Sequence, residues 1–148
     1  MSDIMVVANL LISFLLGGAI GWLREIEGKT AGLRTHILVA VGSTLFTILS
    51  MEMMNISGSS DPGRLTAGIV TGIGFIGAGC IIQAGGGVKG ITTAASIWVV
   101  SAIGVAAGMG YYVAAVATTV ISLFTIQVLG HAEHRVMKSK EREEAKKG

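Results

Sequence analysis

Charge is scarce in this chain, and half of it lies in the last 18 residues. Only 14% of its 148 residues are charged. Residues 1–130 hold five Lys/Arg (Arg24, Lys29, Arg34, Arg64, Lys89) and five Asp/Glu (Asp3, Glu25, Glu27, Glu52, Asp61). A water-soluble domain carries about 25% charge, so these ten groups cannot coat a soluble surface. A soluble enzyme, a disordered chain and a nucleic-acid module are all disfavoured on that ground. The single cysteine, Cys80, allows no internal disulfide and no cysteine-based zinc site. The single proline, Pro62, leaves any helix kinks to glycine. The amino terminus lacks a basic segment, with Asp3 where Lys or Arg would stand in a secretory signal, and no A-x-A cleavage site follows. The first apolar stretch is therefore expected to be retained as a span.

What remains is hydrophobic. Apolar residues make up 51% of the chain and the mean hydropathy is +0.72. A bilayer core about 30 Å thick needs about 20 helical residues, and five segments suit that length: Ile4 to Leu23, Ile37 to Met54, Leu65 to Ala84, Ile91 to Ala107 and Tyr111 to Leu129. In lipid the backbone must satisfy its own hydrogen bonds, so such runs are helices; the alternation of a membrane barrel strand is absent. The expected fold is all-α, a transmembrane bundle of about five spans over residues 1–130 with a short charged tail over 131–148. The fourth and fifth spans share a very short glycine turn, Gly108-Met109-Gly110, and a shallow re-entrant pair is the alternative there.

Lys and Arg set the orientation. With five spans and the amino terminus outside, ten of the eleven fall on the cytoplasmic side, in the loops around Arg24–His36 and Lys89 and in the tail. Ser60-Asp61-Pro62-Gly63 places an acceptor at an N-cap and proline at the first helical position of the third span. Glu143 and Lys147, four apart in the tail, support a helix in water. Its basic residues can touch anionic lipid, although a solvated end that fixes topology is the simpler reading.

Glycine is the loudest signal after hydrophobicity, with 22 residues. Membrane helices associate through close approach at small residues. Gly17 and Gly21 lie four apart in the first span with Ser13, Gly68 and Gly72 in the third, Gly104 and Gly108 in the fourth. The third span then runs through Gly72, Gly74, Gly77 and Gly79, which contains G-x-G-x-x-G. No strand precedes it and no acidic residue follows at about 20 positions, so a dinucleotide site is not expected. These glycines are expected to pack helices; a thin, partly unwound helix lining a cavity, as in transporters, is the alternative.

Polar residues collect at the cytoplasmic rim. Arg24 and Glu25 close the first span, Arg34, Thr35 and His36 open the second, and the topology brings Lys89, Thr92 and Thr93 to the same face. Arg24, Arg34 and Lys89 can pair with Glu25 and Glu27; interfacial anchoring and a functional cluster are both open readings. Asp61 and Arg64 form a second polar site on the opposite side, where Arg64 can pair with Asp61 or Glu52. No carboxylate falls at the middle of a span, where an ion pathway usually places one. Asn9 and Gln83 suit interhelical hydrogen bonds. His131 and His134 lack a third ligand, so no metal site is expected. No nucleophile–base set or paired carboxylates appear, so neither catalysis nor a cofactor is expected.

Three strings carry a resemblance. Ala31-Gly32-Leu33-Arg34-Thr35-His36, Gly72-Ile73-Gly74-Phe75-Ile76-Gly77-Ala78-Gly79 and Gly90-Ile91-Thr92-Thr93-Ala94-Ala95-Ser96-Ile97-Trp98 resemble, in order and spacing, the membrane domain of the MgtC/SapB family. The resemblance implies a multispan bacterial inner-membrane protein tied to growth at low magnesium and survival inside host cells. It also implies restraint of the F-type ATP synthase through the membrane part as a candidate activity, with magnesium transport the older proposal. Departures place the chain nearer short, SapB-like members. Leu23 stands where the family often has the first residue of Glu-Arg-Glu, Gly68 where it often has Gln, and Thr92 where virulence-type members tend to have Asn. The tail is short where many carry a cytoplasmic domain. The resulting expectation is a regulator that packs against another membrane complex, or against itself as a homo-oligomer. A small ion transporter and a lipid-organising protein are the rivals.

Overall fold

The computed structural model describes residues 1–57, 63–84 and 87–130. Five helices follow in order: α1 (Asp3–Ile26), α2 (Leu33–Ser57), α3 (Gly63–Gly79), α4 (Ile91–Gly108) and α5 (Tyr112–Phe124). The last continues into one π-helical turn, Thr125–Leu129. Between α3 and α4 lies a short antiparallel hairpin, β1 (Ile82–Ala84) and β2 (Gly87–Lys89), with Ile82 opposite Lys89 and Ala84 opposite Gly87. The chain is an all-α bundle in which α1, α2, α4 and α5 with its π turn are long and apolar enough to cross a membrane.

The third segment corrects the expected span. Its 17 residues rise about 25 Å, and the helix stops at Gly79 instead of running to Ala84. The Cys80 N–H bonds the Gly77 carbonyl at 3.0 Å and the Ile81 N–H bonds that of Ala78 at 3.1 Å. This three-residue spacing closes the helix and hands the chain to the hairpin. Gln83, expected between helices, is instead exposed on β1. The other end of α3, with Ser60, Asp61 and Pro62 of the expected cap, lies outside the described residues.

The interior is built inside out relative to a soluble protein. Ile20, Ala40, Ile97, Val100 and Ile103 form an apolar core, but Asn9, Ser13, His36, Thr44, Thr93 and Ser101 are buried among them. Large apolar side chains such as Leu15, Phe75, Val113 and Ile121 face outward. Lipid accepts that outer surface, and the buried polar groups find partners on neighbouring helices. Ser43 and Ser101 hydroxyls lie 2.9 Å apart between α2 and α4. Thr44 Oγ1 donates to the Gly104 carbonyl at 2.8 Å. Tyr112 donates to Asn9 Oδ1 at 2.5 Å, and Asn9 Nδ2 reaches the Gly108 carbonyl at 3.4 Å. This ties α1 to the turn between α4 and α5. Tyr112→Phe leaves Asn9 short of a donor and is expected to cost about 1 kcal/mol, read as a lower unfolding midpoint of the purified protein in detergent.

Glycine contacts divide the expected packing set in two. A methyl group at Gly17 would sit 2.6 Å from the Ala40 Cβ, and one at Gly21 2.9 Å from the His36 Cβ. One at Gly104 would strike the Ala40 carbonyl, and one at Gly108 would lie 2.8 Å from the Thr44 carbonyl. Helix α2 is thus held between glycine faces of α1 and α4. On α3, Gly77 alone of the five expected positions approaches a neighbour, with Ala94 at 3.5 Å. Gly68, Gly72, Gly74 and Gly79 meet nothing within 4 Å. Their expected close packing is corrected: Gly68 and Gly72 border an open groove beside α2, and neither they nor Gly74 and Gly79 are in close contact with a neighbouring helix.

Candidate functional site at the Arg24 end

The C-terminal end of α1 meets the N-terminal end of α4, where Arg24 reaches Thr93. Arg24, in the last turn of α1, turns inward and is 3% exposed. Its Nη1 donates to Glu27 Oε2 at 2.7 Å and its Nη2 to Thr93 Oγ1 at 3.0 Å. Its Nε is buried with no acceptor. A buried guanidinium is costly unless paired and hydrogen-bonded, and the Arg24–Glu27 salt bridge and the Thr93 bond meet that demand.

A second chain of bonds runs deeper. His36 on α2 is fully buried. Its Nδ1 lies 2.8 Å from the Gly32 carbonyl, which can only accept, so Nδ1 carries the proton. Nε2 lies 3.0 Å from Ser96 Oγ, and that hydroxyl donates to the Thr93 carbonyl at 2.8 Å. Arg24, Thr93, Ser96 and His36 therefore join α1, α4 and α2 in one network.

The remaining rim residues divide. Glu25 Oε2 accepts from the Leu33 N–H at 2.9 Å and caps the start of α2; a methyl at Gly32 would collide with that carboxylate. Thr92 is exposed and lines a cavity of about 580 Å³ with Arg24, Glu27, Lys29, Thr93 and Thr125. Arg34 and Lys89 are exposed and Thr35 is half-buried. The expected pairing is thus met by Arg24 with Glu27, while Glu25 acts on the backbone. Gly90 opens α4 with φ +93°, and a side chain there would strike the Cys80 carbonyl. Only glycine fits both demands, and it sets the start of α4 against the end of α3.

The opposite polar site is described only in part. Arg64 is exposed in the first turn of α3, Asp61 lies outside the described residues, and Glu52 lies 3.7 Å from the amino-terminal nitrogen. His131 and His134 also lie outside the described residues. Among the described residues no three His, Cys, Asp or Glu gather as a metal site would require.

Sequence reasoning named Glu27 only as a pairing partner and gave Ser96, Lys29 and Thr125 no place among the site residues. Ser96 carried a signal: it follows Thr93 by three positions, which shares a helix face. Thr125 carried none, because its place depends on the π turn.

Residues 10–135 match the model of the MgtC family. "Putative magnesium transporter YhiD" of Escherichia coli strain K12 is 40% identical over 136 residues, covering 88% of this chain and 63% of that protein. "Protein MgtC" of Salmonella typhimurium strain LT2 is 42% identical over 130 residues, covering 88% of this chain and 54% of that protein. "Protein MgtC" of Brucella abortus strain 2308 is 49% identical over 110 residues, covering 74% and 45% respectively. The chain spans about half to two thirds of the length of these relatives. No solved structure matches it.

Proposed function

This chain belongs to the MgtC family, and from that premise we propose that it is a bacterial inner-membrane protein serving adaptation to low magnesium by docking laterally against another membrane complex. The observation that carries the reading is an apolar groove of about 490 Å³ between α2 and α3, lined by Gly42, Ser43, Gly68, Ile69, Gly72 and Ile73. Small residues along a membrane groove admit the close approach of a foreign helix, and Gly68 and Gly72 have nothing of this chain against them. The F-type ATP synthase is the partner the family resemblance points to, and a second copy of the chain is the other occupant of the right chemistry. The distribution of Lys and Arg supports an amino terminus outside and a cytoplasmic carboxyl terminus.

Ion passage is the rival, favoured by the printed name of the Escherichia coli relative. Against it stands the interior, whose buried hydroxyls bond to one another and to carbonyls. Gly72→Leu separates the two readings. Because the position is open, the variant is expected to fold with its stability changed by no more than about 0.5 kcal/mol, yet to lose growth support at low magnesium and co-purification of the partner. Gly77→Leu presses on Ala94 and is expected to lower stability as well. Sealed proteoliposomes are expected to give no magnesium flux above empty vesicles. Saturable flux abolished by Arg34→Ala, or full growth support from Gly72→Leu, would sink the docking reading.

A further inference from the structure

Arg24 leaves one polar atom unexplained. It pairs through both terminal nitrogens, but Nε is buried and has no acceptor. An unpaired N–H in such a place costs free energy comparable to a lost hydrogen bond. The same residue lines the 580 Å³ cavity, where Lys29 supplies a second cation and Glu27 one carboxylate. The cavity also takes in Gly90, Thr92 and Thr93, the start of α4. That helix has Gly90 as its N-cap residue, with no side chain to cap it. Its first N–H groups have no acceptor within the helix, and its dipole favours an anion there. Two cations against one carboxylate, an unsatisfied guanidinium N–H and an uncapped helix start together describe a site for one negative charge.

The shape of the neighbouring space names the kind of anion. A second cavity of about 340 Å³ runs between α1, α4 and α5, lined by residues such as Ile20, Ala95, Val99 and Ile121. It shares Thr92, Thr125 and Ile126 with the polar chamber. Thr125 and Ile126 belong to the π turn, a distortion that frequently marks functional positions. A polar chamber at the end of the bundle thus opens onto an apolar channel leading along the spans. A soluble anion has no use for the channel, and an apolar ligand has none for the chamber.

We infer that this pair of cavities holds one anionic phospholipid, its phosphate against Arg24, Lys29 and the start of α4 and an acyl chain along α4 and α5. A phosphate there supplies the acceptor that Arg24 Nε lacks, while Glu27 keeps Nη1. The site lies on a different face from the α2–α3 groove and does not depend on the partner reading.

Native mass spectrometry of the full chain in mild detergent tests it, with phosphatidylglycerol, phosphatidylcholine, glycerol phosphate and inorganic phosphate added in turn. One phosphatidylglycerol per chain is expected to be retained at least tenfold more tightly than phosphatidylcholine, with neither soluble phosphate binding detectably. Thr125→Trp blocks the junction of chamber and channel, and Lys29→Ala removes one cation. Both alter exposed residues, so the fold is expected to survive. Each is expected to weaken phosphatidylglycerol retention at least tenfold, with the charged tail unchanged in every variant. Equal retention of the two lipids would overturn the site as annular lipid only. Unchanged retention in Thr125→Trp would overturn its location. Inorganic phosphate binding as tightly as phosphatidylglycerol would overturn the lipid assignment.

Discussion

Gly104→Leu is expected to prevent the bundle from forming. Gly104 stands where α4 crosses α2 most closely; even a methyl group there would strike the Ala40 carbonyl and lie 2.9 Å from the Ser43 Cβ. Backbone cannot step aside as a flexible side chain can. The helices must separate, and separation breaks the Thr44 bond to the Gly104 carbonyl and the Ser43–Ser101 pair. Overpacking of this kind costs about 3 kcal/mol. The lost hydrogen bonds add about 1 kcal/mol each. For a bundle of ordinary marginal stability that is enough to leave little folded protein. Size-exclusion chromatography and thermal unfolding in detergent check it, beside Gly72→Leu as the matched control at an open position. A monodisperse Gly104→Leu protein with an unchanged midpoint would refute the close α2–α4 crossing.

Arg24→Leu carries the second large effect. It strands Glu27 beside a leucine and takes a donor from the buried Thr93 hydroxyl. Breaking a buried ion pair from one side costs 3–5 kcal/mol. Because Glu27 keeps 24% exposure and water screens it, about 3 kcal/mol is expected. The double variant Arg24→Leu with Glu27→Leu removes both charges and is expected to recover most of the loss, since two apolar residues need no partners. A double-mutant cycle on unfolding midpoints measures the coupling. A near-zero coupling would mean that the pair contributes nothing and that Arg24 is held by packing alone.

The residues show where the sequence was readable. The spans of α1, α2, α4 and α5 were legible because hydropathy is a property of local composition, and lipid rewards it at every apolar run. The crowding of Arg24, Thr93 and His36 at one end followed from counting spans and following the chain back and forth. The end of α3 was not legible: residues 80–84 are as apolar as the helix before them, and only the hydrogen bonds from Cys80 and Ile81 back to Gly77 and Ala78 mark the stop. Four of the five α3 glycines were given inward packing because spacing alone cannot say which way a helix faces.

That last failure has a general cause. In water, an amphipathic pattern tells which side of a helix is buried. In lipid, the outside is as apolar as the core, so the pattern fades and rotation about each helix axis goes unrecorded. By itself, then, the sequence determined that this is a helical membrane protein, where four of its spans lie, that Arg24, Thr93 and His36 share one end, and the family resemblance. Only the tertiary structure decided that Arg24 faces inward with Nε unmet among the described residues, that Gly17, Gly21, Gly104 and Gly108 grip α2 while Gly68 and Gly72 of α3 border an open groove beside it, and that Thr125 of the π turn lines both a charged cavity and an apolar one. Those outcomes depend on how helices rotate and approach one another, and that is settled by contacts between segments far apart in the chain.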